Sequence, residues 1–109
     1  MLFTLNAFGN YTDSFIVKVG EHRISVSAPK KKAEVVSIII ENLTLDKIIS
    51  ELKTKEKVLK RFVLKPQGKE VIQVDYSKIK KLYYVPIAPP FEAVELKFGK
   101  KYYEIPPKE

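Results

Sequence analysis

The feature of this chain that most restricts its fold is the close spacing of its turn-forming residues. Glycine- and proline-containing turn signals recur roughly every 8–12 residues. They divide the chain into short segments rich in valine, isoleucine, phenylalanine and tyrosine. Segments of this length and composition predict β-strands, because β-branched and aromatic side chains fit a pleated, half-buried surface. We therefore expect about eight short strands in a mostly antiparallel sheet or a partly open barrel.

The clearest predicted hairpin has Gly20 and Glu21 as its two-residue loop. Apolar and polar residues alternate on both sides of this loop, and a glycine at the first loop position suits a type II′ turn. In this register Val17 lies opposite Ile24, and one face of the hairpin becomes a core face. The residues predicted on that face are Phe15, Val17, Val19, Ile24 and Val26.

Two further hairpins are predicted from similar turn signals. Residues 94–105 repeat the design of the first hairpin around Gly99. Residues 62–74 contain two apolar runs, and between them Pro66 is followed two positions later by Gly68, which is a tight-turn signal. Both segments are therefore predicted to fold back on themselves as antiparallel pairs.

The middle of the chain is expected to contain a buried strand and then a helix. Residues 34–40 are β-branched and almost continuously apolar, which fits a strand buried on both faces. An amphipathic helix is predicted near residues 44–57, with Thr44 as its N-cap. Its apolar stripe would consist of Leu45, Ile48, Ile49 and Leu52. The predicted class is thus α+β, in a single domain that covers residues 1–109.

The composition argues against most kinds of catalytic site. The chain has no cysteine, which excludes thiolate metal sites, iron–sulfur clusters and cysteine nucleophiles, and its only histidine is His22. The four glycines lie too far apart for a phosphate-binding loop, and the carboxylates are spread singly. We therefore expect a protein that is not an enzyme and that uses no cofactor or metal.

The sequence also suggests the cellular setting. No run of 18 apolar residues is present, and the first residues lack the pattern of a signal peptide, so we expect a cytoplasmic protein without a membrane-spanning helix. Abundant lysine and glutamate with little asparagine and glutamine fit a hyperthermophilic source.

Charge is distributed unevenly along the chain. The formal net charge is +7, and residues 55–109 carry 13 basic and 7 acidic side chains, against 7 and 6 in residues 1–54. Eight of the twelve phenylalanine and tyrosine residues also lie in the second half. A basic, aromatic-rich half favours an anionic partner, and the alternative is a lysine-coated surface that only confers solubility.

A doubled pattern in the last thirty residues sharpens the prediction of nucleic acid as that partner. Two lysines precede two tyrosines at 80–84 and again at 100–103. Lysine can neutralise phosphate and tyrosine can stack on an unpaired base, while the scarcity of arginine argues against sequence-specific readout. Only one tyrosine of each pair can face outward on a strand. The predicted nucleic-acid-binding residues are Lys30, Lys31, Lys32, Lys80, Lys81, Tyr84, Lys97, Lys100, Lys101 and Tyr102.

The alternative function is a protein-interaction or structural module, of viral or mobile-element type, with no nucleic-acid role. Pro86 and the following Pro89 and Pro90 restrict the strand at 83–87 to the edge or the end of a sheet. An edge strand of this kind could pair across a homodimer.

Overall fold

The computed structural model contains two β-sheets that bury a common core. It describes residues 14–29, 31–88 and 93–99, and the backbone of residues 102–105. These residues contribute from both sheets to one apolar cluster. The strands are β1 (Ser14–Val19), β2 (Ile24–Ser27), β3 (Val35–Asn42), β4 (Ile48–Lys53), β5 (Val58–Leu64), β6 (Lys69–Asp75), β7 (Tyr83–Ala88), β8 (Val94–Glu95) and β9 (Tyr102–Ile105).

The first sheet has five strands in the order β6-β3-β1-β2-β9, and the second has four in the order β5-β4-β7-β8. Every pair is antiparallel except β1 and β3, which run parallel. The predicted predominance of antiparallel pairing is confirmed. The strands nevertheless divide between two facing sheets, because apolar residues from both must be buried against each other.

The predicted α+β class is wrong, because residues 44–57 form no amphipathic helix. β4 occupies Ile48–Lys53, and the structure describes only one short helical element, a 3-10 helix at Tyr76–Lys78. Ile48 and Leu52 are buried as predicted, whereas Leu45 is 79% exposed. A separation of four residues places two side chains on one face of a helix and also on one face of a strand, so the pair fits both structures. Pairing with β5 and β7 on both sides selects the strand. No helix among the described residues is long and apolar enough to cross a bilayer.

The first hairpin forms with the predicted core face but a different register. The five predicted core residues of β1 and β2 are fully buried. The loop is displaced by one residue, since the Gly20 N–H donates to the Arg23 carbonyl at 2.9 Å and leaves Glu21 and the residue after it as the loop. Val17 consequently lies opposite Val26 and not Ile24. The pairing shifts by two residues, and an even shift keeps every side chain on its original face.

The other two predicted hairpins are wrong, although the turn at Pro66 is present. The Gly68 N–H donates to the Lys65 carbonyl at 2.9 Å. Gln67 is the third residue of this turn and has a φ of 63°, the positive value that the third residue of a type II turn requires. The strands on either side of it, β5 and β6, belong to different sheets. The same is true of β8 and β9. Each of these segments thus carries the chain from one sheet to the other.

The central strand β3 is confirmed, and the predicted edge position of β7 holds only in part. β3 lies between β1 and β6, and its central isoleucines are buried. β7 pairs with β4 along its length and with β8 at Tyr83 and Tyr84. Beyond Tyr84, the described part of the chain offers β7 only one neighbour, which accommodates Pro86 where no second ladder is needed.

One end of the sandwich is held by Asn42, which is fully buried. Its Nδ2 lies within hydrogen-bonding distance of the carbonyls of Asp46, Leu64 and Lys65, at 2.7, 3.2 and 3.1 Å. Its Oδ1 accepts the Thr44 N–H at 2.9 Å. This side chain therefore connects the end of β3, the following loop and the end of β5.

Candidate functional site

A concave cleft lies between the outer edges of β5 and β6. These strands diverge from the turn at Pro66. The single described neighbour of β5 is β4, and that of β6 is β3. The cleft has a volume of about 730 Å³. It is lined by residues 54–57 and 59–60 from the four-stranded sheet, and by residues 72–75 and 78–81 from the five-stranded sheet and the segment after it.

Lysines dominate the lining of this cleft. The charged lining residues are Lys55, Lys57, Lys60, Lys78, Lys80, Lys81, Glu56 and Asp75. Among the residues that the structure describes, five of these lysines form no salt bridge: Lys55, Lys57, Lys78, Lys80 and Lys81. A concave surface lined mainly by one sign of charge concentrates the electrostatic potential, so this excess of lysines attracts anions. We call this space the basic cleft.

The interior of the basic cleft also carries aliphatic side chains. Leu59 and Ile72 lie on opposite walls, and Ile79 and Val74 complete the apolar part of the lining. Leu59 is 36% exposed, whereas Val74 is almost fully buried. The cleft therefore combines cationic groups with apolar surface.

A β-bulge gives Leu59 its place in the cleft. Leu52 of β4 lies opposite Lys60, but the next residue, Lys53, lies opposite Val58. Leu59 is thus the extra residue of β5, and an extra residue of this kind bends a strand and redirects side chains. Both Leu59 and Lys60 consequently line the cleft.

The turn between β4 and β5 is fixed by Thr54, which is buried. Its backbone N–H donates to the Lys57 carbonyl at 2.9 Å. Its hydroxyl oxygen accepts the N–H groups of Glu56 and Lys57, both at 3.2 Å. The backbone that carries Lys55 and Lys57 is therefore held in a defined conformation beside the cleft.

The opposite wall is anchored by Tyr76. Its hydroxyl donates to the Leu96 carbonyl at 2.8 Å, and its ring contacts Phe15 and Phe98 with centroid distances of 6.2 and 4.7 Å. Tyr76 thereby connects the end of the five-stranded sheet to the four-stranded one. These contacts fix the position of Tyr76, and therefore the start of the segment that carries Lys78, Lys80 and Lys81.

Asp75 is one of the two carboxylates of the cleft, and it is engaged locally. It accepts the Ser77 hydroxyl at 2.6 Å and the Ser77 N–H at 3.0 Å. These hydrogen bonds hold the pKa of the Asp75 carboxyl below its usual range, and the one from the Ser77 hydroxyl contributes most. The carboxylate caps the 3-10 helix, and its negative charge offsets only a small part of the positive charge of the surrounding lysines.

Lys60 links the two strands that border the basic cleft. Its Nζ lies 2.7 Å from Oε2 of Glu70, so that a salt bridge connects β5 with β6. The side chains are 47% and 29% exposed, which makes this a partly solvated pair.

The structure brings together only part of the predicted nucleic-acid site. Lys80 and Lys81 line the basic cleft. Lys31 and Lys32 are exposed and lie at the same end of the sandwich, because the Tyr76 N–H donates to the Glu34 carbonyl. Lys97 is also exposed at this end, beside the Leu96 N–H that donates to the Leu82 carbonyl at 2.9 Å. None of these three lines the cleft.

Four predicted residues fall wholly or partly outside the described structure. Lys30, Lys100 and Lys101 lie outside the described residues. The backbone of Tyr102 belongs to β9, opposite Ser27 of β2.

The prediction that Tyr84 contacts nucleic acid is wrong. Tyr84 is fully buried, its hydroxyl lies 2.8 Å from Ser50 Oγ, and its ring stacks on Phe62 at a centroid distance of 6.4 Å. Burial raises the pKa of Tyr84 to about 12. The strand alternation leaves Tyr83 as the partly exposed member of the pair, with Lys53 and Glu95 beside it on the neighbouring strands.

The predicted binding residues do not include four of the six lysines of the basic cleft: Lys55, Lys57, Lys60 and Lys78. Lys55 and Lys57 belong to the charged run at 53–57, which falls within the predicted helix. The strand-like composition of the residues that follow, Val58 to Leu64, was the available signal that this run is a turn between strands.

The outer face of the four-stranded sheet carries a separate apolar surface. Ile49 and Val63 lie opposite each other on β4 and β5 and are 36% and 51% exposed, and Ile87 of β7 is 42% exposed. Beside them, Arg61 donates to Glu51 through Nε at 2.8 Å and through a second guanidinium nitrogen. Arg61 is thus engaged away from the basic cleft.

Comparisons with known proteins give this chain no relatives. The sequence matches no protein-family model, and no curated protein or solved structure matches it significantly. Its function must therefore be inferred from its own residues. Among the described residues, no three histidine, aspartate or glutamate side chains are grouped so that they could hold a metal ion.

Proposed function

We propose that this protein is a non-catalytic binding protein that holds nucleic acid in the basic cleft with little sequence specificity. The observation that supports this proposal is the convergence of six lysines on one cleft of about 730 Å³. Lysines that neutralise phosphates release condensed counterions, and this attraction does not depend on sequence. An intracellular location, where nucleic acid is encountered, is part of the proposal.

The expectation of low specificity follows from the type of cation in the cleft. Lysine acts as a point charge, whereas the planar guanidinium of arginine reads guanine through two hydrogen bonds. The basic groups that line the described cleft are all lysines, and Arg61 is engaged by Glu51 on the outer sheet face. The cleft is therefore suited to the backbone of a nucleic acid and poorly suited to recognition of base edges.

Lysines outside the cleft extend the basic surface at this end of the sandwich. Lys31 and Lys32 are exposed in the segment before β3, and Lys97 is exposed after β8. A polyanion longer than the cleft could contact them on leaving it. Their contribution is proposed to be additive and weaker, because exposed charges are screened by salt.

The proposal is tested by the salt dependence of binding to a labelled oligonucleotide. We expect binding near 50 mM salt and a slope of log affinity against log salt of roughly −3 to −4, which corresponds to about five neutralised phosphates of a single strand. Fluorescence anisotropy measures both. Undetectable binding near 50 mM salt, or affinity that does not change with salt, would refute the proposal.

Two charge-matched triple variants locate the site. The cleft variant carries Lys57→Glu, Lys80→Glu and Lys81→Glu. The control variant reverses three exposed lysines that do not line the cleft, Lys47→Glu, Lys65→Glu and Lys69→Glu. We expect the first to abolish binding and the second to weaken it modestly. Equal losses would mean that net charge alone attracts the oligonucleotide.

The second candidate function, a protein-interaction or structural module, is favoured by the apolar surface of the four-stranded sheet. Ile49, Val63 and Ile87 lie on its outer face, where exposed apolar groups often mark contacts between proteins. Analytical ultracentrifugation of the protein and of Val63→Lys tests this function. A homodimer that the substitution dissociates would support it, and a monomer at high concentration would count against self-association.

A further inference from the structure

On the basis of the proposed function, we infer that the ligand of the basic cleft is single-stranded nucleic acid. Its phosphates would contact the lysines, and its unpaired bases would lie against the aliphatic side chains inside the cleft. The inference rests on the combination of cationic and apolar groups within one concave site.

The two groups of lysines come from the two walls of the cleft. Lys55, Lys57 and Lys60 belong to the turn and strand on the side of the four-stranded sheet, whereas Lys78, Lys80 and Lys81 follow β6. A single phosphodiester chain that passes between the walls can approach both groups. The volume of the basic cleft, about 730 Å³, is within the range of sites that enclose a ligand.

A duplex would use this surface poorly. In a double helix the bases are stacked and paired, so they present only their edges, and proteins read those edges by placing a helix or strand into a groove. The basic cleft is concave and could receive only the phosphate ridge of a duplex. The apolar surface of Leu59, Ile72 and Ile79 would then remain without a partner.

The faces of unpaired bases match this apolar surface. Leu59 is 36% exposed where the bulge directs it into the cleft, and Ile72 and Ile79 are partly buried beside it. A base that covers these side chains removes apolar surface from water, which is favourable and independent of base identity. The described lining contains no aromatic side chain, so this contact is hydrophobic and lacks the stacking term of aromatic platforms.

The inference is tested by comparing single-stranded and double-stranded oligonucleotides with equal numbers of phosphates, in competition with one labelled single strand. We expect the single strand to bind at least tenfold more tightly than the duplex. If neither binds, the proposed function fails. If the duplex binds equally or more tightly, the inference is wrong and the proposed function remains. If poly-glutamate of the same charge competes as well as the single strand, the cleft is a general polyanion site and the inference is again wrong.

A matched pair of variants on β5 tests the contact with the bases. Leu59→Ser changes a partly exposed side chain in the cleft, and Val63→Ser changes a more exposed one that does not line it. We expect Leu59→Ser to weaken single-strand binding severalfold with an unchanged salt slope, and Val63→Ser to leave binding unchanged. Circular dichroism establishes that both variants are folded. A folded Leu59→Ser protein with unaltered affinity for the single strand would overturn the inference.

Discussion

The hydroxyl of Tyr84 lies 2.8 Å from the hydroxyl oxygen of Ser50, inside the core that the two sheets share. This hydrogen bond joins neighbouring strands β7 and β4 and satisfies two buried polar groups at once. It also holds the Tyr84 side chain in the core. Lys80 and Lys81, which lie four and three residues earlier, instead line the basic cleft. The tyrosine that follows these two cleft lysines in sequence is therefore part of the core.

Tyr84→Phe is expected to change the pH dependence of stability. Near neutral pH the substitution removes one buried hydrogen bond and should lower the free energy of unfolding by about 1 kcal/mol. The folded-state pKa is raised to about 12 from the ordinary 10.0, so the stabilising effect of the neutral phenol is complete below pH 10 and is lost as the pH rises toward 12.

Urea unfolding of both proteins between about pH 8 and pH 11.5 measures this difference. The wild type should lose about 2 kcal/mol relative to Tyr84→Phe over this interval. The Phe variant controls for the lysines, which titrate in the same interval in both proteins. Parallel curves for the two proteins would contradict the assignment of a buried, neutral phenol.

Asn42→Ala is expected to be strongly destabilising. It removes the amide that bridges the carbonyls of Asp46, Leu64 and Lys65 and leaves those groups without this donor. A loss of about 2–4 kcal/mol in the free energy of unfolding is expected, by the cost of buried unsatisfied polar groups.

Asn42→Asp should be at least as harmful near neutral pH, because a carboxylate would face the carbonyl oxygens that now receive an N–H group. Gln67→Ala is the control, since Gln67 is exposed and its Nε2 donates to the Leu43 and Thr44 carbonyls. Chemical denaturation of the three variants gives the comparison. A smaller loss for Asn42→Ala than for Gln67→Ala would show that the amide does not hold this end together.

Glu70→Gln is expected to strengthen nucleic-acid binding severalfold with little change in stability. The pair with Lys60 is partly exposed, so its removal should cost no more than about 1 kcal/mol. The same change frees a lysine of the cleft and removes a nearby negative charge. Glu41→Gln on β3 removes one charge outside the cleft lining and serves as the control. Equal effects of the two substitutions on oligonucleotide affinity would show that Lys60 does not contribute from the cleft.

Tyr76→Phe is expected to lower the free energy of unfolding by about 1–2 kcal/mol, because the buried Leu96 carbonyl loses the hydroxyl donor at 2.8 Å. The ring contacts with Phe15 and Phe98 remain, which limits the loss. Thermal unfolding followed by calorimetry measures it. An unchanged midpoint would mean that this bond does not help to hold the two sheets together.

The sequence contained enough information to predict the local strands and part of the candidate site. The core face of β1 and β2 and the buried strand β3 follow from the alternation or continuity of apolar residues over a few positions. The local lysine–tyrosine pattern predicts Lys80 and Lys81, which do line the cleft. No local pattern predicts Lys55 and Lys57, because their place in the cleft depends on β5 and β6 lying on either side of one opening.

Local chemistry fixed where the chain turns, and long-range packing fixed where each strand goes. The residues at 65–68 favour a tight turn locally, since its hydrogen bond and its positive φ lie within those four residues. The pairing of β5 with β4 and of β6 with β3 depends on which apolar faces are buried against each other. Residues 48–52 satisfy the spacing of a helix and of a strand, and two neighbouring strands select between them. The burial of Tyr84 is likewise decided by long-range packing, because only the assembled sheets provide Ser50 and Phe62 as its partners.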